Sequence, residues 1–427
     1  MDQRLTVKLT ILSAFALISF TVLAQESGQK NESTDIIIQK IAEKALSGSP
    51  SIDAMKSRLA AARELVKPAG AWPDPMLSIG GSFMGLVPPG PSSYGIIEYS
   101  QTLPYPGKSG SRIAVAESEK AVKTAEIELV ARDIVFNVTK SFADIYLIDK
   151  EIELLGISKE FIRMMSDTLS AKYTSGDSNM TELIKLQIEL LRIDERLNEI
   201  GTDRLTIISG LEALLGSAES LKIPVVLKLP EIDDGFMDIY ISPAKIADNS
   251  ALILLKKAEV ASSVKKADSA KFDQYPDFSF GVGAGVDGMK EPVLMLNFGV
   301  ELPIWKSSKQ TPIKKAADYE VAAARSELKS AELFFRAEFN SLAARWKNYN
   351  SQIKLYRTTI IPENYKAFES SRINYLAGIG NFAEVIENAR LWLDAKIRLS
   401  KLESDRFVVY ASIKKLTEPA YQKALEK

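Results

Sequence analysis

Three short motifs occur twice in this 427-residue chain, in the same order and about 200 positions apart. Trp72-Pro73-Asp74 answers to Tyr275-Pro276-Asp277. Leu103-Pro104-Tyr105-Pro106-Gly107-Lys108 answers to Leu302-Pro303-Ile304-Trp305-Lys306, and Tyr173-Thr174-Ser175-Gly176 to Tyr375-Leu376-Ala377-Gly378. Ordered matches at one spacing are what a tandem duplication leaves behind, so the two halves are expected to fold alike. This divides the chain into a leader at 1–24, a first repeat at 25–216, a linker at 217–246 and a second repeat at 247–427. The linker carries Pro224, Pro230, Pro243 and an Asp-rich turn.

Within each repeat the order reads as short helix, strand pair, long helical hairpin. Strands are predicted at about 76–87, 95–103, 277–287 and 293–302 from apolar residues recurring every second position. Leu294, Leu296, Phe298, Val300 and Leu302 share one face of the last strand, and Met295, Asn297, Gly299 and Glu301 the other. A sheet lying on a soluble core produces the same alternation. A transmembrane barrel is the second reading, because the opposite face is small and polar rather than heavily charged. The strand length also matches the roughly 9–11 residues needed to cross a bilayer at a tilt.

The hairpins are predicted at 109–216 and 312–416. Ser109 to about Lys172 contains no proline, and at about 1.5 Å per residue it could reach close to 100 Å. Apolar residues recur every three or four positions at Ile134, Val138, Ile145, Ile148, Ile152, Leu155, Ile162 and Leu169. After Gly176 they continue at Leu183, Leu186, Leu190, Ile193, Leu197, Ile200, Ile207, Leu211 and Leu214. That is a coiled-coil seam folded back on itself. The second hairpin is expected to turn near Gly378, with Pro362 kinking or interrupting its ascending arm.

The chain has no Cys and no His, which removes disulfides, thiolate and imidazole metal sites, and His-based acid–base chemistry. Lys plus Arg (54) balances Asp plus Glu (55), so the charge excess of a nucleic-acid binder is missing. No enzymatic activity, cofactor or metal site is expected. Residues 1–24 read as a cleaved signal peptide: Arg4 and Lys8 precede an apolar stretch from Leu9 to Phe20, and Val22-Leu23-Ala24 precedes the cut. The stretch is shorter than the roughly 20 residues of a membrane span, and a chain without Cys has no lipid attachment point. No other segment reads as a transmembrane helix, so a membrane role has to come from the strands. Two apparent nucleotide motifs fail. Pro106-Gly107-Lys108-Ser109 has Thr102 where a P-loop needs glycine, and Gly283-x-Gly285-x-x-Gly288 is followed by a strand instead of a helix.

The proline-rich Trp72-Pro73-Asp74-Pro75 run before the first strand, the Gln101-Thr102-Leu103-Pro104-Tyr105-Pro106-Gly107-Lys108 passage from strand to helix, and the paired glycine tips resemble the TolC family of outer-membrane efflux proteins, over essentially the whole mature chain. The Leu-Pro-Tyr-Pro-Gly-Lys run is most similar to the branch serving RND-type heavy-metal and cation pumps. The resemblance implies an α+β membrane protein that assembles as a homotrimer. Each chain would give four strands to a 12-stranded transmembrane β-barrel, continued by a long antiparallel coiled-coil α-helical barrel in the periplasm. It implies the outer membrane of a Gram-negative bacterium, and a role as the exit duct of a tripartite efflux system for metal cations or small toxic compounds. The implied partners are a periplasmic membrane-fusion adaptor protein, an inner-membrane RND-type or other pump, and outer-membrane lipid; no nucleic acid is expected. A type I protein-secretion duct and a non-channel periplasmic coiled-coil scaffold are the alternatives. Physics favours several copies on its own, since four strands cannot close a barrel and an open edge in lipid leaves backbone groups unpaired at several kcal/mol each.

Two sites carry over from the resemblance. The hairpin tips that would meet the adaptor are Tyr173, Thr174, Ser175, Gly176 and Asp177, and Tyr375, Leu376, Ala377, Gly378 and Ile379. Read alone, they are helix connections. The positions of the acidic ring at the periplasmic constriction are Glu384 and Glu387, which read alone as two solvated glutamates. Three copies would bring six carboxylates together, favouring cations over anions.

Overall fold

The computed structural model describes residues 34–82, 94–174, 180–216, 221–233, 235–237, 247–286 and 291–418, so the expected leader at 1–24 lies outside the described residues. Two helices open the fold, α1 (Thr34–Gly48) and α2 (Pro50–Ala69). A single short helix is predicted here. Pro50 explains the split, because its missing N–H is harmless at a helix start and disruptive inside one. Strands β1 (Met76–Ser82) and β2 (Tyr94–Leu103) follow, then the long helices α3 (Lys108–Thr174) and α4 (Met180–Leu215). Next come α5 (Ala251–Phe272), β3 (Asp277–Val286), β4 (Pro292–Glu301) and α6 (Gln310–Leu355). A five-residue π-turn (Tyr356–Ile360), α7 (Ile361–Leu376) and α8 (Phe382–Thr417) complete it.

The 67 residues of α3 run to roughly 100 Å. It is the spine of the molecule, packing against α1, α2, α4, α5 and α8. Its apolar seam is buried as the 3-4 spacing requires: Val138, Ile145 and Leu169 are closed to solvent, as are Leu186 and Leu211 of α4. One core cluster lies along the middle of the hairpin around Phe142, Ile145 and Leu211 with α1. A second, toward the tips, joins Leu155, Ile162, Leu169, Ile193 and Ile200 to Phe368, Tyr375 and Val385 of the other hairpin. Residues 221–233, neither helix nor strand, pack against the first cluster through Ile223, Val226 and Leu229. There the buried Asp149 carboxylate accepts from Arg204 Nε at 2.7 Å and from the Val226 N–H at 2.8 Å.

Pro362 does interrupt the ascending arm. Its ring nitrogen cannot donate to the Thr358 carbonyl and its ring would press on it, so the helix widens by a π-turn just before. The π-turn is tethered: Arg357 pairs with Glu403 of α8, and Glu403 also accepts from the Tyr146 hydroxyl of α3.

The four strands form one antiparallel sheet in the order β1-β2-β3-β4. Its register places Leu77 opposite Tyr99, Ile97 opposite Ala284, Tyr99 opposite Val282, and Phe280 opposite Phe298. One face therefore collects Leu77, Ile79, Ile97, Phe278, Val282, Leu294, Leu296, Phe298 and Val300. Among the described residues nothing covers it: Ile79 is 80% exposed, Phe298 79% and Leu294 72%. The other face is lined by Ser78, Glu98, Ser100, Ser279, Gly281, Gly283 and Asn297, with Asn297 Nδ2 donating to Glu98 Oε1 at 2.6 Å. No helix among the described residues is long and apolar enough to cross a membrane.

Sheet and helices are clamped together where β2 leaves and β3 begins. Lys108, buried at the start of α3, donates to both Asp277 carboxylate oxygens at 2.9 and 2.8 Å and to the Tyr275 carbonyl at 3.2 Å. The Tyr105 N–H adds a bond to Asp277 Oδ1 at 2.8 Å, and the Tyr105 and Tyr275 rings stack at 4.6 Å.

Candidate functional site

The sheet leads directly into α3, so the hairpin tips stand at the far end of the helices from the strands. At the second tip α7 ends after Leu376, and Gly378 takes φ +79°. The reversal is closed by main-chain bonds from Gly378 N to Tyr375 O and from both Ile379 N and Gly380 N to Asn374 O, each 3.1 Å. Asn381 then caps α8, its side-chain oxygen accepting from the Ala383 N–H at 2.9 Å. Tyr375 is buried, its ring 5.6 Å from that of Phe382, so it wedges the turn from inside. Leu376, Ala377, Gly378 and Ile379 form the outer surface, with Ile379 81% exposed. Gly380 closes the same turn, where a Cβ would sit 2.6 Å from the Tyr375 nitrogen. The Gly-Ile-Gly spacing is the signal for it.

At the first tip Tyr173 is exposed and the Thr174 hydroxyl donates to the Ala171 carbonyl at 2.7 Å. Ser175, Gly176 and Asp177 lie outside the described residues. The matched tyrosines thus differ, Tyr173 facing solvent and Tyr375 the core.

Glu384 and Glu387 are exposed, one helical turn apart on the same side of α8 and immediately beyond the tip. They are not equivalent. Glu387 pairs with Arg390 at 3.7 Å, and Arg390 crosses to α4, donating to Glu189 Oε1 at 2.5 Å. Glu189 also accepts from Arg192 at 3.1 Å. This ladder joins the two hairpins along the rim of a cleft of about 260 Å³ lined by Ile162, Ile193, Arg196, Ile386 and Asp394. Hydrogen bonding to Glu189 raises the Arg390 pKa above its ordinary value. Partial burial, opposed by Arg390 and reinforced by Glu387, raises that of Asp394. Burial lowers the pKa of Lys396, whose ammonium sits 3.9 Å from the Trp392 ring centroid. Among the described residues no group of three or more Asp or Glu side chains could hold a metal ion.

The chain has the fold of the TolC-family outer-membrane channels, helical with a small antiparallel sheet. It superposes on the outer-membrane channel OprN with a TM-score of 0.77 at 13% identity, covering 88% of this chain and 89% of that one. For the outer-membrane protein VceC of Vibrio cholerae the TM-score is 0.74 at 16% identity, covering 91% and 96%. For CusC, described in connection with transmembrane channel formation, it is 0.72 at 15%, covering 93% and 95%. By sequence the chain is 22% identical over 307 residues to the cobalt-zinc-cadmium resistance protein CzcC of Cupriavidus metallidurans, covering 68% of this chain and 69% of that protein. No family model matches the chain.

Proposed function

We propose that this protein is the outer-membrane exit duct of a tripartite efflux system in a Gram-negative cell. The observation that carries it is the sheet: among the described residues, a broad apolar face open to its surroundings, two unpaired edges at β1 and β4, and a small polar opposite face. A soluble monomer rarely leaves so large an apolar surface uncovered. In a bilayer the same face is solvated by lipid, and the bare edges find partners in further copies. Three copies would make the 12-stranded barrel of a homotrimer, with its helices continuing as a periplasmic tube. Exposed apolar residues at helical spacing, Ile184, Ile188 and Leu191 of α4, suit packing against a neighbouring copy.

In this reading the two halves are tandem repeats joined by 217–246, and the leader at 1–24 directs export. The tips face the periplasm and meet a membrane-fusion adaptor, through Ile379, Leu376 and the first tip around Gly176. An inner-membrane pump, RND-type or other, supplies cargo, and Glu384 and Glu387 form the acidic constriction. The protein acts as a passive conduit with no chemistry of its own. Likeness to CzcC, named as a cobalt-zinc-cadmium resistance protein, favours metal cations as cargo. Purified full-length protein should require detergent, run as a trimer by light scattering, and give discrete conductance steps in planar bilayers. A monomer stable without detergent, with no conductance, would overturn the proposal.

A further inference from the structure

The repeated motifs supply two offsets. Asp74 to Asp277 is 203 positions and Leu103 to Leu302 is 199. Applied to the β1–β2 hairpin, they carry Met76 and Ser100, which are partners, onto Ser279 and Gly299. Those two are partners in the β3–β4 hairpin. The whole register transfers in the same way, Leu77 with Tyr99 falling on Phe280 with Phe298. The sheet thus obeys its sequence offsets residue for residue.

The same operation acts on the β2–β3 seam. It carries β2 onto β4 and β3 back onto β1, but β1 and β4 are the two outer edges of the sheet. We infer that β4 of one copy pairs with β1 of the next in the register this operation gives: Glu301 opposite Met76, Gly299 opposite Ser78, and Phe298 opposite Ile79. The seam would also repeat the buried clamp at the base of the sheet, with Asp74 of one copy meeting Lys306 of its neighbour; Lys306 answers to Lys108 across a one-residue deletion in the second motif, the 199 offset itself falling on Ser307. This rests on the proposed edge-to-edge assembly and specifies its interface.

Three observations carry it. The predicted pairs keep the faces consistent: Leu77 and Ile79 fall beside Val300 and Phe298, all exposed and apolar, while Ser78 and Gly80 fall beside Gly299 and Asn297. A slip of one residue would turn every apolar side chain of one strand to the polar face. The residues that answer to the clamp are present and open. Inside the chain Lys108 holds Asp277 and Tyr105 stacks on Tyr275. At the edges Asp74 and Lys306 are exposed and make no ion pair among the described residues. Trp72, Ile304 and Trp305, the counterparts of the stacked tyrosines and their neighbour, are 61%, 72% and 68% exposed. Finally, the charges are complementary, an acid on one edge and a base on the other.

The chain contains no native cysteine, so a pair of introduced ones reports the seam directly. Met76→Cys with Glu301→Cys places the two thiols on opposite edges of one copy. They are separated by three inter-strand spacings of about 4.8 Å, well beyond the roughly 7 Å Cα limit of a disulfide. Any disulfide is therefore between copies. Oxidation of the full-length protein in outer-membrane vesicles should yield covalent oligomers for this pair. It should yield at least ~10-fold less for Ser78→Cys with Glu301→Cys, where the Cα separation of diagonal neighbours is about 7–8 Å. In parallel, Asp74→Lys and Lys306→Asp should each lower the melting temperature of the detergent-solubilised oligomer, and the double variant should recover it. An oligomer that cross-links through 78 and 301, or through neither pair, overturns this register, as does a double variant no more heat-resistant than the singles. A chain that stays monomeric in the membrane overturns the assembly beneath it.

Discussion

Gly378 stands in the left-handed region with open space around its missing side chain, so only its φ forbids substitution. Gly378→Val should strain the turn by about 1–2 kcal/mol, small against the packing of the hairpins. If the proposed trimer and adaptor contact hold, site-specific cross-linking to the adaptor is expected to fall while the trimer persists on native gels; loss of the trimer would make the residue purely structural. Glu384→Gln combined with Glu387→Gln should reduce the cation preference of the reconstituted pore, read as a shift of reversal potential in a salt gradient. An unchanged reversal potential would remove these residues from the conduction path. Glu387→Gln also weakens the hold on Arg390, so the single variants should differ, with Glu384→Gln reporting the charge of the proposed ring alone.

At the scale of the element, the seams of α3 and α4 were legible because burial on a helix imposes a period, and the residues from Ile134 to Ile200 follow it as buried or half-buried positions; near the end of α4 Ile208 and Leu215 are buried more deeply than the expected Ile207 and Leu214. The strands were legible for the same reason at period two, within about a residue at β3 and β4. Contacts between distant segments were not. The bond from Arg390 to Glu189 spans 201 positions, and nothing local in either helix marks the partner. The same holds for the central strap. Asp149 looks like any acid on a helix, yet it is buried and bonds both Arg204 and the Val226 N–H. Asp149→Ala would leave the Val226 N–H unpaired and the guanidinium without its carboxylate, holding only the Ile223 and Pro224 carbonyls at 3.3 Å, a loss of about 3 kcal/mol or more. Limited proteolysis within 221–233 should accelerate several-fold while the tip-end helices stay protected; an unchanged cleavage rate would show that the strap is held by its packing and by its other hydrogen bonds, from the Leu221 N–H to Glu212 and from the Thr34 hydroxyl to the Lys228 carbonyl.

For the molecule as a whole, the two edges of the sheet are unlike: β1 and β4 run in opposite directions and carry different side chains. An edge that fits only the opposite edge of another copy adds subunits head to tail, and growth ends only when the last edge meets the first. In the proposed assembly every unfinished ring therefore keeps one open margin of each kind, and the final addition seals two margins at once. Completion is cooperative for that reason, and intermediates stay receptive. A chain damaged along β1 alone would still be accepted through its intact β4, then leave a gap that no further copy can mend. Lesions of that margin should be dominant over the normal allele.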